Sequence, residues 1–247
     1  RKSCCKCELT NATDKLSGAH KDATDRSSLE LTYKQPHRRR PCNCVNKYIF
    51  RTLSQLAVTP NKFPFAKNQQ ILWMAHPARE PDRTFWLTAR NWVDCSNGTA
   101  LLNNIGAAAT IPRAHAHLID ERMPFLADLP ERPLATDLIT VPPGCELIRK
   151  DVPFCIIGIR GDIAGTAESL IRLADARLTS TWNVAVTKDA TGIGPRAKQT
   201  PAPFFNQAVG AAEFWGRWCY IDEEPFAAAS EADLEQALVM ATMPRID

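Results

Sequence analysis

Apolar residues recur with the periods of strands and helices in two successive parts of the chain. In the first part, apolar runs predict strands over residues 70–75, 99–105 and 114–120, and a helical spacing predicts a helix over residues 82–92. A loop of small residues, 106–112, separates the last two strands. The first part therefore predicts three strands and one helix.

The second part repeats this alternation. The apolar run 152–160 predicts a strand, and Asp162 or Thr166 can cap a helix that reaches about Arg177. Residues 181–187 alternate as a strand, with one apolar side. Strands and helices in two comparable cycles predict an α+β fold with two related halves.

Proline marks two further segments. Residues 192–196 contain a proline and predict a short edge strand, where the missing N–H is tolerated. Residues 127–146 are rich in proline and predict a connector over the surface. Ser230 can cap a final helix. The expected buried face of that helix consists of Leu234, Ala237, Leu238 and Ala241.

Composition excludes several classes of protein. The chain has 247 residues, of which 45% are hydrophobic and 23% charged, and these ordinary globular values exclude a disordered chain, a collagen and a coiled coil. No apolar run approaches the roughly 20 residues of a bilayer-spanning helix. No N-terminal segment has the pattern of a signal peptide, so no membrane partner is expected.

The N-terminal segment differs from the rest in charge. Residues 1–50 hold 11 Lys and Arg against 5 Asp and Glu, whereas the remainder holds 19 against 22. Residues 8–47 are polar and weakly periodic, which predicts an irregular arm. The run of basic residues at 37–40 is either a phosphate contact or a solvated loop. We divide the chain into a basic, cysteine-rich N-terminal arm (1–50), a first half (51–130) that carries the two neighbouring histidines, and a second half (131–247).

The nine cysteines are unevenly spaced. This distribution is more typical of an intracellular chain than of a secreted disulfide scaffold, and a cytoplasmic location is expected. Four of them stand singly and are interpreted as small core residues. These are Cys95, Cys145, Cys155 and Cys219.

The other cysteines cluster in the arm and suggest a structural zinc site. Cys4 and Cys7 form a C-x-x-C, which can place two thiolates on one tetrahedral ion, and Cys42 with Cys44 would complete a four-sulfur site. The rival ligands are His76 and His115. The alternative is a set of free thiols. No organic cofactor is expected.

Two of the five histidines stand two residues apart in the predicted strand 114–120. A strand points His115 and His117 to one face and the intervening Ala116 to the other. An imidazole is neutral and nucleophilic near neutral pH, so this pair suits attack on phosphorus or ligation of a metal.

The surroundings of this pair resemble a known family. Asn104 and Gly106 form an Asn-x-Gly turn, and Gly106 lies nine residues before His115. The other matching motifs, in order, are Asn61-Lys62-Phe63-Pro64, Trp182-Asn183-Val184-Ala185, Gly194-Pro195-Arg196 and Gly210-Ala211-Ala212-Glu213. This succession, over roughly residues 55–243, resembles the histidine triad superfamily, in the branch of galactose-1-phosphate uridylyltransferases, diadenosine tetraphosphate phosphorylases and GDP-galactose phosphorylases.

The resemblance implies both a fold and an activity. The fold would be an antiparallel sheet with helices, built as two histidine-triad-like halves of the half-barrel type, of which only the first is catalytic. The activity would be that of a nucleotidyltransferase or nucleotide phosphorylase with a covalent nucleotidyl-histidine intermediate. The substrate would be a nucleotide or nucleotide sugar, and the acceptor phosphate or a sugar phosphate. A nucleic acid partner is not expected, and relatives imply a homodimer.

Residue roles are also implied by the resemblance. His117 would attack the α-phosphorus, and the backbone carbonyl of His115 would hold the other ring nitrogen of His117. Cationic and loop residues would neutralise and position the phosphates. The residues implied to bind substrate are Asn61, Lys62, Asn104, Gly106, Thr110, Arg113 and Arg196.

Two departures from the family pattern leave other functions open. The family has glutamine or histidine two residues after the nucleophile, where this chain has Ile119, and Thr110-Ile111-Pro112 replaces a Gly-x-Ser. An isoleucine can neither bond a phosphate nor donate a proton. The alternatives are a nucleotide phosphohydrolase of the same fold and a non-catalytic, zinc-stabilised nucleotide-binding protein. Ile119 favours the second alternative over the first, whereas the histidine pair and Lys62 favour the transferase.

Overall fold

A computed structural model describes residues 30–33, 56–123, 129–135 and 139–245. The strands are β1 (Glu30–Tyr33), β2 (Leu56–Pro60), β3 (Gln70–Met74), β4 (Thr99–Asn103), β5 (His115–Ile119), β6 (Glu131–Pro133), β7 (Glu146–Lys150), β8 (Ile157–Arg160), β9 (Trp182–Val186), β10 (Thr191–Pro195) and β11 (Arg217–Tyr220). The helices are α1 (Arg83–Ser96), α2 (Ile163–Asp175), α3 (Ala211–Phe214), α4 (Glu223–Ala228) and α5 (Glu231–Ala241).

Nine of these strands form one antiparallel sheet in the order β2-β3-β5-β4-β9-β10-β8-β7-β6. β1 and β11 form a separate parallel pair. The sheet and the helices confirm the expected α+β class. The strands of the two predicted halves meet where β4 pairs with β9, so both halves share one sheet.

Helices α1 and α2 cover one face of the sheet. Asp82 caps α1 by accepting a hydrogen bond from the N–H of Phe85 at 2.8 Å, and Asp162 caps α2 from Gly165 at 2.6 Å. The apolar faces of both helices pack on alternate sheet residues such as Leu102 and Val184. The predicted cap at Asp162 is confirmed, and Thr166 lies inside the helix.

The other face is covered by a C-terminal layer, which we define as α3, β11 and α5. This layer packs its aromatic and aliphatic residues on the intervening sheet residues Leu101, Ile119 and Ala185. Ser230 caps α5 through the N–H of Asp233 at 3.1 Å. The four residues predicted for the buried face of this helix are all buried. None of the helices in the described residues is long and apolar enough to span a membrane.

Several predicted elements differ from the structure. Residues 192–196 are not an edge strand, because β10 lies between β9 and β8. Pro195 is the last residue of β10, where the loss of an N–H disrupts the ladder least. Both edge strands of the sheet contain a proline instead: Pro60 in β2, and Pro133 in β6, which lies within the predicted connector 127–146. Within the predicted strand 152–160, only residues 157–160 are extended and paired.

The arm and the cysteines also need correction. The predicted irregular arm contains β1, which pairs with β11. Cys155 and Cys219 are buried as expected, and Cys145 is partly buried. Cys95 is exposed, because it lies on the outer side of α1, so its assignment to the core is wrong. The predicted zinc ligands Cys4, Cys7, Cys42 and Cys44 lie outside the described residues.

Candidate active site

Strand β5 presents its two histidines to the face of the C-terminal layer. Ala116 and Leu118 point into the core beneath α1 and α2. His117 pairs with Ile71 of β3 and with Leu101 of β4, so these three side chains share the opposite face. The alternation of the strand therefore brings the two imidazoles together, with ring centroids 5.6 Å apart.

Ile119 lies on the same face of β5 as the two histidines, but its side chain is part of the hydrophobic core. Its side chain is fully buried in the cluster that joins the sheet to the C-terminal layer. Its cross-strand partner on β4 is Thr99, which is also buried. The position where the resemblance expects glutamine or histidine is therefore occupied by a packing residue that has no access to solvent.

His115 is fixed by one hydrogen bond and one ring contact. Its Nδ1 lies 2.7 Å from the backbone carbonyl oxygen of Arg113. The ring stacks on Trp73 with centroids 4.8 Å apart, and Trp73 in turn donates to Thr59 at 2.8 Å. The side chain is 6% exposed, and burial lowers the pKa of His115, whereas the bond to Arg113 raises it less.

His117 is less buried and has a different partner. Its Nδ1 lies 2.8 Å from Nε2 of Gln69, instead of bonding the backbone carbonyl of His115 as the resemblance implies. Gln69 is 3% exposed, and its Oε1 accepts a hydrogen bond from the N–H of Phe65 at 2.8 Å. The ring of Phe65 also lies 5.8 Å from that of His117. Sequence reasoning missed Gln69, because a glutamine at a strand boundary has no distinctive spacing.

The loop 104–113 joins β4 to β5 beside the histidines. Asn104 is buried and donates to Glu80 at 2.9 Å, and burial raises the pKa of Glu80 more than this bond lowers it. The carbonyl of Asn104 accepts from the N–H groups of Ala107 and Ala109 at 2.9 and 3.2 Å. These bonds close the turn, so Asn104 supports the loop with its own polar groups.

Gly106 is required by the shape of this turn. Its φ of +86° is a left-handed conformation that favours glycine, and an added Cβ would lie 2.4 Å from Cγ2 of Thr181. Thr110 and Arg113, which follow in the same loop, are exposed. Of the residues predicted to bind substrate in this loop, these two are the exposed ones.

The loop between β2 and β3 carries the other two predicted substrate residues. Asn61 folds back on its own loop, donating to the carbonyl of Phe63 at 3.2 Å and accepting from its N–H at 3.1 Å. Lys62 is exposed, and its Nζ lies 5.1 Å above the ring of Phe63. The same loop continues to Gln69, whose side chain contacts His117. One loop therefore carries both Lys62 and a hydrogen-bond partner of His117.

Arg196 has a structural position. It is buried, and its guanidinium donates to the carbonyls of Val209, Lys198 and Ala241 at 2.8, 2.8 and 3.0 Å and to the side-chain oxygen of Asn183. Burial lowers the pKa of Arg196 to about 10, and Glu213 offsets part of this effect. All three guanidinium nitrogens thus donate hydrogen bonds to other groups of the protein. The resemblance implies that Arg196 binds a phosphate, and these internal bonds take the place of that contact.

Asn183 extends this network to the loop. Its amide donates to Asn103 and to the carbonyl of Ala107, both at 2.9 Å. Asn103 also accepts from the N–H of Ala211 in the C-terminal layer at 2.6 Å. The hydrogen bonds that link Arg196, Asn183 and Asn103 therefore connect the loop 104–113 to that layer.

Metal-binding residues are not gathered in the described part of the chain. No group of three or more His, Cys, Asp or Glu residues within it could hold an ion. The rival ligand His76 is exposed, and His115 faces Trp73 and the carbonyl of Arg113.

The sheet and its two covering layers have a fold that is also found in solved structures of another protein. Among solved structures, yeast Ap4A phosphorylase Apa2 in complex with Ap4A is similar, with a TM-score of 0.62 and 14% sequence identity over 78% of this chain and 75% of that chain. The same enzyme without this ligand has a TM-score of 0.60 and 16% identity over 78% and 76%. Its complex with AMP has a TM-score of 0.58 and 15% identity over 78% and 74%.

Comparison at the level of sequence adds nothing to this likeness. No family model matches the chain, and no curated protein matches it. At such low identity, the structures confirm the fold that the resemblance implies.

Proposed function

We propose that the protein is a nucleotidyltransferase or nucleotide phosphorylase that works through a covalent nucleotidyl-histidine on β5. The observation that carries this proposal is the pair of imidazoles on one face of β5 beside the loop 104–113, in a fold shared with an Ap4A phosphorylase. A ring nitrogen attacks the α-phosphorus, an N–P bond forms, and the bond to the leaving phosphate breaks. An acceptor oxygen then takes the nucleotidyl group from the histidine.

Charge neutralisation falls to the exposed cations near this pair. Lys62 and Arg113 lie in the two loops that flank the histidines, and Thr110 adds a hydroxyl in the second of them. Phosphoryl transfer depends mainly on positioning and electrostatics, so such groups are the ones it needs. Arg196 is not among them, since its donors are engaged within the protein.

The substrate class follows from the same features. The similar structures contain Ap4A and AMP, which supports a nucleotide or nucleotide sugar as donor, with phosphate or a sugar phosphate as acceptor. The burial of Ile119 favours one alternative, a non-catalytic nucleotide-binding protein, because no proton donor stands after His117 on this face.

Intact-protein mass spectrometry tests the proposal. We expect a nucleoside monophosphate adduct after mixing with dinucleoside polyphosphates, nucleoside triphosphates or nucleotide sugars, and its loss when orthophosphate is added. The double variant His115→Ala/His117→Ala is the control and should bind nucleotide without forming the adduct. Binding by the wild type without adduct and without turnover would support the non-catalytic alternative.

A further inference from the structure

We propose that Asn183 of β9 is a positioning residue for the transfer reaction, because it fixes the loop 104–113 beside the two histidines. This inference rests on the proposed function and assigns a role to the second half of the chain. No histidine occurs in residues 131–247, so this half cannot supply an attacking imidazole. Its contribution is instead the support on which the loop rests.

The loop rests on the beginning of β9 and on the residue before it. The N–H of Asn104 donates to the carbonyl of Trp182 at 3.2 Å. Gly106 lies against Thr181, since a Cβ added to the glycine would be 2.4 Å from Cγ2 of the threonine. Strand β9 pairs with β4 on one side and with β10 on the other, so it is a rigid support for these contacts.

Asn183 adds a hydrogen bond whose direction is fixed by its partners. Ala107 offers a backbone carbonyl, which only accepts, and Arg196 offers a guanidinium, which only donates. The amide of Asn183 therefore turns its NH₂ group to Ala107 and its oxygen to Arg196. The second N–H of the amide donates to Asn103 at 2.9 Å.

Burial makes this contact specific. Asn183 and Ala107 are both 0% exposed, so water does not replace either partner of their 2.9 Å hydrogen bond. A buried carbonyl that loses its donor carries the full cost of its desolvation. The position of Ala107 is therefore tied to the amide of Asn183.

Asn183 acts on the reaction through the loop. After Ala107 the loop carries Thr110 and Arg113, the exposed groups proposed to meet the phosphates. The carbonyl of Arg113 also lies 2.7 Å from Nδ1 of His115, so the loop holds that ring as well. Phosphoryl transfer depends on positioning, and a misplacement of about 1 Å can cost about a hundredfold in rate.

The variant Asn183→Asp removes the hydrogen bond to Ala107 without changing the size of the side chain. Its carboxylate keeps the contact with Arg196, whose charge compensates its own, but it has no N–H for the carbonyl. Hydrogen exchange measured by NMR should show the effect on the loop. The N–H of Ala109, which bonds the carbonyl of Asn104, should exchange roughly tenfold faster, the effect of one lost hydrogen bond, while the N–H groups between β9 and β10 are unchanged.

Rapid mixing with a dinucleoside polyphosphate separates positioning from stability. At saturating donor, the rate constant of adduct formation does not depend on how much of the protein is folded, whereas the amplitude does. We expect Asn183→Asp to lower this rate constant about tenfold to a hundredfold. The half-saturating donor concentration should change less than the rate constant.

Two other variants complete the test. Ser169→Ala is the matched control, because Ser169 is also fully buried in the second half and donates to the carbonyl of Gly165 at 2.8 Å within α2, on the face of the sheet opposite to the histidines. It should change the amplitude at most. Thr181→Ser keeps the hydroxyl but removes the methyl group against which Gly106 lies, so its rate constant should fall less than that of Asn183→Asp.

The outcomes distinguish this inference from the proposed function. An unchanged rate constant in Asn183→Asp, or a loss of amplitude alone, would overturn the inference and leave the proposed function intact. Unchanged exchange at Ala109 would overturn it too. If Asn183→Asp does not fold, an unchanged rate constant in Thr181→Ser has the same meaning. A wild type that forms no adduct and turns over no donor would overturn both.

Discussion

Replacing Ile119 with glutamine would restore the residue type that the family resemblance expects there, and the structure predicts that it damages the fold. Ile119 is fully buried between the sheet and the C-terminal layer. Losing its burial costs about 1.5–3 kcal/mol. Enclosing an amide without partners costs about 1–3 kcal/mol more. We expect Ile119→Gln to lower the free energy of unfolding by about 2.5–6 kcal/mol.

Urea unfolding followed by tryptophan fluorescence measures this loss. Ile111→Gln is the matched control, because Ile111 is 44% exposed in the neighbouring loop and its replacement should change stability by less than about 0.5 kcal/mol. Nucleotide transfer should not improve in Ile119→Gln under conditions where the variant is folded. A loss below about 1 kcal/mol, with faster transfer, would show that position 119 reaches the substrate and would refute the assignment of Ile119 to the core.

Three further predictions concern Arg196, His115 and the arm. Arg196→Met leaves three backbone carbonyls without a donor, so thermal unfolding should show a loss of at least about 3 kcal/mol, while a nucleotide-binding defect at unchanged stability would contradict its structural role. Since burial lowers the pKa of His115, its titration followed by NMR should give a pKa below the ordinary imidazole value of about 6.5, and a pKa above that value would contradict the burial of the ring. The zinc content of the wild type should exceed that of the double variant Cys4→Ser/Cys7→Ser by about one equivalent per protein. Equal zinc contents would exclude Cys4 and Cys7 as ligands.

Periodicity predicted most of the elements that position the site. The alternation over residues 181–187 and 114–120 depends only on which faces are buried, so it identified β9 and the shared face of the two histidines. The cap at Asp162 is likewise local, since its partner Gly165 lies three residues away. Such features are encoded within a few residues and can be inferred from sequence.

The features that sequence reasoning missed depend on distant partners. Arg196 is enclosed by acceptors from Val209 and Ala241, and only the folded chain brings them to its guanidinium. The central place of β10 is decided by β8, which lies more than 30 residues earlier in the sequence. Gln69, which contacts the ring of His117, is 48 residues away from it in the sequence. No local pattern contains this information.

The junction of β4 with β9 limits how this chain can be divided. A fragment that stopped before β9 would keep the pairing of β4 with β5 but would leave the opposite edge of β4, over residues 100–103, without a partner strand. The exposed edge of β4, next to β5, could then pair with the same edge of another copy of the fragment. Attempts to express the first half by itself should therefore yield aggregates, and functional work on this protein requires both halves in one polypeptide.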